Sequence, residues 1–317
     1  MLLLNKLPAQ PNGRDGWPWR VETRLPSRSD ACVWPKISIV MPSFNQGRFI
    51  EEAIRSILLQ NYPNLEFIIA DGGSTDDSIQ IIEKYKPWIS SWSSAPDGGQ
   101  VNALNNAFPK TTGAILGWLN SDDVLTPGAL FIVAQLFMLS SQVDIVSGAR
   151  LQRSVTTKTE EVWMPWLKQW PMITLGFPLF PQEATFFSRR IWNLVGSFDP
   201  SLDYAFDGVF FSKAIARSER IVLTSTPLGV MHAYCGQKSL RKDNVMAENR
   251  TRLMQTILSN VPLFIKPLIR LCYTRFSVQA DAVLRGILRS RADRKFSVGV
   301  YNWSEDRWSL ASIGNFI

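Results

Sequence analysis

The chain has one histidine, His232, and three cysteines among its 317 residues. Cys32, Cys235 and Cys272 are scattered and odd in number, without the paired spacing of a zinc site or a disulfide framework, so a reducing compartment is expected. Long apolar runs are also missing. No window reaches the ~18 to 20 residues of a membrane span. The apolar start at Met1 to Leu4 is broken by Asn5, Lys6, Pro8 and Pro11, short of a signal-peptide core. A cytoplasmic chain, soluble or peripheral to a membrane, is the expectation. Two phosphate-binding signatures are absent as well. The loop PSFNQG (42–47) after the first apolar run is neither G-x-G-x-x-G nor G-x-x-x-x-G-K-[ST], which excludes those two cradles there.

What is present is a globular composition, 45% hydrophobic and 19% charged. The net charge of +7 and pI near 9.4 favour anionic partners. Much of the excess lies between Pro262 and Lys295, as Lys266, Arg270, Arg275, Arg285, Arg289, Arg291, Arg294 and Lys295 against Asp281 and Asp293. The Lys266/Arg270 and Arg285/Arg289 spacings read as a solvated helix face packed on the domain. The alternative is a contact with anionic lipid, as on the inner face of a plasma membrane. No nucleic-acid-binding motif accompanies them.

Residues 1–36 form an irregular arm rich in Pro, Gly and Trp, expected to wrap the domain through Trp17 and Trp19. From Ile37 the pattern turns regular. ISIVM, LEFIIA, WISSW and GAILGWL are short apolar strands, and VDIVSG is a fifth. Each of the first four is followed by a loop and a helical apolar stripe, at intervals of roughly 25 to 30 residues. Repeated strand–loop–helix units mean an α/β fold with a mostly parallel sheet, whose ligands bind outside the carboxyl ends of the strands. The loops at those ends are PSFN (42–45), DGGSTDD (71–77), PDGGQ (96–100) and NSDD (120–123). Ser74 or Thr75 is expected to cap the second helix, with Asp76 and Asp77 in its first turn. Asp71, Asp97, Asp122 and Asp123 are left over. Asp122 and Asp123 read either as a solvated turn or as hard oxygen donors for a divalent cation.

PSFNQGRFIEEAIRSIL (42–58), DGGSTDDS (71–78), SAPDGGQ (94–100) and GWLNSDD (117–123) occur in this order. With them the sequence resembles the family 2 glycosyltransferases of the A-type (GT-A) fold, over about Trp34 to His232. The resemblance implies a doubly wound, mostly parallel mixed sheet with a Rossmann-like nucleotide-binding half. It implies a nucleotide-sugar-binding set of Pro42, Ser43, Asn45, Asp71, Gly72, Asp97, Asn105 and Asp122, with Asp71 on the base or ribose. NSDD stands for the family's metal motif. Its first position, Asn120, carries no charge, so Asp122 and Asp123 divide the ribose and metal roles, in an order left open here. A divalent cofactor, Mn²⁺ or Mg²⁺, is implied, with His232 as a further ligand or diphosphate contact; the alternative for a lone histidine is a structural one. QEATFFSRRIWNLVGSFDPSLDYAFDGVFF (182–211) resembles the acceptor-side segment, which makes Asp207 the catalytic base and puts Gln182, Glu183 and Asp203 beside the acceptor.

The implied organisation is an arm (1–36), a nucleotide-sugar half (37–150), an acceptor-side half (151–235) and a basic, largely helical C-terminal extension (236–317). The implied activity is inverting transfer of a sugar from a nucleoside-diphosphate sugar to a saccharide or lipid-linked acceptor, in cell-surface polysaccharide or glycolipid assembly. The Q-x-x-R-W motif of processive synthases is absent, so single addition is expected. Three departures from the family pattern stand out: Asn106 replaces a lysine, Ala95 replaces an acid, and DGVFFSKAI replaces a "DYDLWLRL"-like stretch. They motivate the alternative of a nucleotide-sugar-binding or scaffold protein of the same assembly pathway.

Overall fold

The computed structural model describes residues 2–24, 33–164, 180–202, 204–237, 251–253, 255–256, 258–259, 296–302 and 307–312. The basic stretch between Pro262 and Lys295, and Asp203, lie outside the described residues. The chain opens with three strand–helix units, β1 (Ile37–Ser43), α1 (Ile50–Leu58), β2 (Leu65–Asp71), α2 (Ser78–Tyr85), β3 (Ser91–Ser94) and α3 (Gln100–Ala107), which lead into β4 (Ile115–Trp118). β1 is buried at every position, as a continuous apolar run between two covered faces must be. It pairs in parallel with β2 and β4, and β2 with β3, so the strand order reverses between β1 and β4. That reversal opens a crevice at the carboxyl ends of β1 and β4.

The second half begins with β5 (Asp123–Leu125), α4 (Ala129–Met138), β6 (Val143–Ser154) and β7 (Glu160–Trp163). It continues with β8 (Thr185–Ser188), α5 (Arg189–Val195), α6 (Phe206–Arg217) and β9 (Arg220–Ala233). β8 runs antiparallel between β4 and β6, joining the halves into one sheet of order β11-β10-β9-β6-β8-β4-β1-β2-β3. β10 (Phe296–Asn302) and β11 (Arg307–Ser312) extend this sheet beyond β9. These two strands are the described part of the segment beyond residue 260, within the extension read from sequence as largely helical. Among the described residues no helix is long and apolar enough to cross a membrane.

Each face of the sheet has its own core. One packs α1, α2 and α4 with Leu7 and Trp34. The other is aromatic and centres on Trp118, with Phe108, Phe187, Phe198, Phe206, Phe210 and Phe211 around it. This cluster holds the end of β4 rigid, one residue before the Leu-Asn-Ser-Asp-Asp turn.

The arm is clamped to α1 by a buried cation. Arg55 lies among the apolar positions of α1 and donates to the carbonyls of Pro8, Pro18 and Trp19 and to the Tyr85 hydroxyl, at 3.0 to 3.1 Å. Its guanidinium also lies 5.2 Å from the centre of the buried Trp19 ring. A charge removed from water needs such a set of acceptors, and these come from segments 36 to 47 residues away in sequence. Trp17 reaches further, donating its indole N–H to the Leu125 carbonyl at 2.8 Å, so the arm touches β5 directly.

Candidate active site

The first two strand-end loops are knitted to each other. Asn45 adopts a left-handed backbone (φ 52°), which asparagine tolerates better than most side chains. Its N–H donates to the Ser74 hydroxyl, and its side-chain oxygen accepts the Thr75 N–H at 2.8 Å. Asp71, 3% exposed, accepts four hydrogen bonds, from the Gly73 and Ser74 N–H groups and from the Ser74 and Ser94 hydroxyls. Gly72 allows the second and third loops to approach: a Cβ there would lie 3.1 Å from Asp97 Oδ2. Asp97 closes its own turn by accepting the Gly99 N–H at 2.7 Å. Pro42 and Ser43 end β1 beneath these loops, with the Ser43 hydroxyl buried and unpartnered, and Phe44 follows with its ring 59% exposed at the lip.

Two expectations are corrected here. Neither Ser74 nor Thr75 caps α2; Ser74 is occupied by Asp71 and Asn45, while Asp76 accepts from the N–H groups of Ser78 and Gly47 and so ties the helix start to the first loop. Asn105, read as a nucleotide contact, turns its amide to the Phe198 backbone instead. It donates to the Phe198 carbonyl and accepts the Phe198 N–H, both at 2.9 Å, a structural strap between α3 and the aromatic core.

At the fourth loop the two neighbouring aspartates face different surroundings. Asp122 is half-buried; one carboxylate oxygen accepts the Tyr234 hydroxyl at 2.8 Å. Its carbonyl lies 2.7 Å from His232 Nδ1. A carbonyl can only accept, so Nδ1 carries the proton and a neutral imidazole keeps Nε2 as its lone-pair nitrogen. Phe49, the residue before α1, supports both rings, its centroid 5.8 Å from His232 and 4.7 Å from Tyr234. Burial and the adjoining Asp122 carboxylate push the Tyr234 phenol upward, so it stays a donor.

Asp123 starts β5 and pairs with Met231 of β9. It is buried, with Oδ1 unpartnered and Oδ2 accepting only a long 3.3 Å bond from the Asn120 amide. Burial pushes this carboxyl well above the usual range, and Asp122 and Glu183 add to the shift. Glu183, buried in the turn before β8, is raised by burial too; Arg150 opposes the shift, and Asp207 and Asp122 reinforce it. The Arg150 Nε lies 3.8 Å from Glu183 Oε1, and neither atom has a hydrogen-bond partner, so the pair is Coulombic rather than hydrogen-bonded. Asn120 is held at both ends, accepting from Gln100 at 2.7 Å and donating to Gln182 at 2.9 Å. Gln182 in turn donates to the Trp118 carbonyl at 2.6 Å.

Asp207 occupies the first turn of α6, and its carboxylate accepts the Gly208 N–H at 2.8 Å. The residue before the helix, Ala205, is left-handed (φ 60°), a conformation alanine resists at a cost of ~1–3 kcal/mol. That bend presents the start of α6 to the same edge of the sheet. Of the residues read from sequence, the structure thus brings together Asp122, Asp123, His232, Gln182, Glu183 and Asp207, and joins Asn45, Asp71, Gly72 and Asp97 in the neighbouring loops. Tyr234, Phe49 and Arg150 were not foreseen. Tyr234 lies two residues past His232 on the same ribbon, and that spacing was the available signal.

A divalent cation fits these donors in chemistry, through hard carboxylate oxygens, an orphaned buried Asp123 Oδ1 and an imidazole whose Nε2 the Nδ1 contact leaves open. Yet among the described residues no three acidic, histidine or cysteine side chains form a cluster that could hold an ion. The protein offers an incomplete ligand set.

A family model described as glycosyl transferase family 2 matches residues 38–192. An uncharacterized glycosyltransferase of Mycobacterium tuberculosis is 25% identical over 191 residues, 60% of this chain and 72% of that protein. A GalNAc(5)-diNAcBac-PP-undecaprenol β-1,3-glucosyltransferase of Campylobacter jejuni is 31% identical over 109 residues, 32% of this chain and 34% of that one. Among solved structures, residues 1–349 of S. aureus TarS in complex with UDP-GlcNAc are similar with a TM-score of 0.58, at 19% identity, over 82% of this chain and 73% of that chain. The mannosyltransferase PcManGT from Pyrobaculum calidifontis, in complex with GDP-Man and Mn²⁺, has a TM-score of 0.52 at 17% identity, over 80% of this chain and 79% of that chain. At such identities the structures establish the shared fold.

Proposed function

We propose that the chain, whose residues 38–192 match the glycosyl transferase family 2 model, transfers a sugar from a nucleoside-diphosphate sugar to an acceptor hydroxyl with inversion and with the help of a divalent cation. The observation that carries this reading is electrostatic. Asp122, held by Tyr234, shares one sheet edge with a buried carboxylate, Glu183, that feels both Asp122 and Asp207. This supports reading Asp122 as the donor-side acid and Asp207 as the acceptor-side acid, supplied to one site by separate elements.

In this reading the loops of β1 and β2 receive the nucleoside. Pro42, Ser43 and Gly72 form the backbone floor, the exposed Phe44 ring offers a face to a base, and Asp71 and Asn45 keep the loops in register. Asp122, with Asp123 and His232 near it, would supply the protein's share of the ligands to Mn²⁺ or Mg²⁺. When bound, such a cation acts as a Lewis acid that stabilises charge on the departing diphosphate. Asp207 takes the proton of the acceptor hydroxyl as its oxygen bonds to the anomeric carbon and the nucleoside diphosphate leaves. A single displacement needs one base and no covalent intermediate. Gln182 orients the Asn120 turn, and Glu183, flanked by Arg150, positions the acceptor side. Saccharide or lipid-linked acceptors of cell-surface assembly suit the reading, since the Campylobacter relative is named for an undecaprenol-linked substrate.

The test follows nucleoside diphosphate release from UDP-, GDP- and dTDP-sugars with Mn²⁺ and mixed acceptors. Asp207→Asn is expected to lower kcat by ~10²–10⁴-fold while leaving nucleoside diphosphate affinity intact. Binding without turnover under every acceptor mixture would favour the scaffold reading suggested by Asn106 and DGVFF. Unchanged turnover in Asp207→Asn would remove Asp207 as the base.

A further inference from the structure

Behind the catalytic edge, the N-terminal arm and the β6–β9 ribbon enclose a cleft of about 540 Å³, within the range of small-molecule sites. Its walls include Arg14 and Trp17 from the arm, Glu52 from α1, Thr126 after β5, Arg153 from β6 and Val230 from β9. The polar chemistry is unusual for a gap under a terminal arm. Glu52, with its side chain 10% exposed, is approached by both Arg14 and Arg153 at 3.6 Å. At that distance neither guanidinium is hydrogen-bonded to Glu52; Arg153 gives its Nε–H to Glu160 at 2.6 Å, which leaves its terminal N–H groups, like those of Arg14, as donors toward the cleft. Trp17 is pinned by its indole N–H to Leu125, which fixes a half-buried ring in the wall.

We propose that this cleft is a second saccharide-binding site for neutral sugars. The lining charges cancel, Arg14 and Arg153 against Glu52 and Asp15, which argues against a nucleoside diphosphate. Forked donors beside a carboxylate match hydroxyls that both give and accept hydrogen bonds, and a fixed aromatic wall matches the apolar C–H face of a pyranose. The cleft also adjoins the site already described. Arg153 is the β6 partner of His232, and Glu52 lies three residues along α1 from Phe49, which stacks on that histidine. Sugars held there would be the remote units of an oligosaccharide acceptor; that role rests on the transferase reading, whereas the binding does not.

Saturation-transfer NMR on the full chain, without donor or metal, tests it with maltotriose, cellotriose and chitotriose as probes. At least one trisaccharide is expected to bind saturably, to bind about tenfold or more weakly in Arg14→Ala and Arg153→Ala, and to bind normally in Asp122→Asn. Unchanged melting of the arginine variants confirms that they fold, and Arg14→Ala should release nucleoside diphosphate at the wild-type rate. No binding of any probe at millimolar concentration, binding that survives both arginine substitutions, or displacement by UDP or GDP would each overturn the second site. Trisaccharide binding without nucleoside diphosphate release would support the second site and sink only its acceptor role.

Discussion

Asp71 and Asp123 have the same side chain, the same 3% exposure and neighbouring places on the ligand edge of the sheet, yet opposite circumstances. Asp71 is surrounded by donors, two N–H groups and two hydroxyls, and serves as the keystone of the loops after β2 and β3. Asp123 has one long hydrogen bond, an orphaned oxygen and two nearby carboxylates. Burial alone therefore does not decide what a carboxylate does; the donors supplied by the fold do. In the first half the buried carboxylate has its full set of donors. In the second, Asp123 and Glu183 are buried carboxyls short of donors, whose charged forms the fold disfavours.

The sharpest way to break this contrast is to remove charge from the unsatisfied half. Asp122→Asn is expected to lower kcat/KM for transfer on the order of a thousandfold, since a metal-stabilised leaving group is worth several kcal/mol, with little change in melting temperature. Steady-state kinetics beside calorimetry decide it; a variant with normal kcat/KM would put the cation elsewhere. Tyr234→Phe tests the support of that aspartate. Loss of its 2.8 Å bond should weaken Mn²⁺ activation by ~10–100-fold, read as a raised metal requirement that excess Mn²⁺ rescues.

In the complete half the expected signature is stability. Asp71→Asn keeps the shape but exchanges one acceptor oxygen for a donor facing hydroxyls and N–H groups, at a cost of ~1–3 kcal/mol in chemical denaturation. A variant as stable as the parent but defective in nucleotide binding would make Asp71 a ligand contact rather than a keystone.

The smallest effect is the response to pH, and its sign differs between the halves. Asp123 and Glu183 have raised folded-state values, so the folded chain binds more protons than the unfolded one above the ordinary carboxylate range. Their contribution to stability therefore declines as pH rises through that window toward the folded values. Glu183→Gln should flatten the fall in Tm as pH rises above the ordinary carboxylate range; an unaltered slope would show that Glu183 does not titrate there. Glu66, in the first half, behaves the other way. Burial tends to raise it, but hydrogen bonds from Ser38, Thr112 and Lys36 prevail and bring it down to about 2. Its stabilisation is complete above the usual 4.5 and is lost as pH falls toward 2.

Much of this was legible locally. The strands β1, β2 and β4 and the helix α1 follow from apolar runs and stripes because burial on two faces, or on one stripe, demands those periods. The loops with Asp71, Asp97 and Asp122 followed from the rule that ligands gather at carboxyl ends of parallel strands. Asn105 misled because an amide in α3 can meet either a ligand or a backbone 93 residues away, and sequence spacing does not distinguish them. Arg55 was invisible for a similar reason: its acceptors are the carbonyls of an arm without periodicity.

The adjacent Asp122 and Asp123 mark the limit most clearly. The sequence by itself determined that two carboxylates close the fourth strand unit, because hydrophobic periodicity and turn chemistry are written in neighbouring residues. Only the tertiary structure decided their division of labour, sending Asp122 to Tyr234 and burying Asp123 near Glu183 and Arg150. Those partners lie just past β9, on β6 and in the turn before β8, and a side chain's electrostatic environment is set by what the chain folds against it.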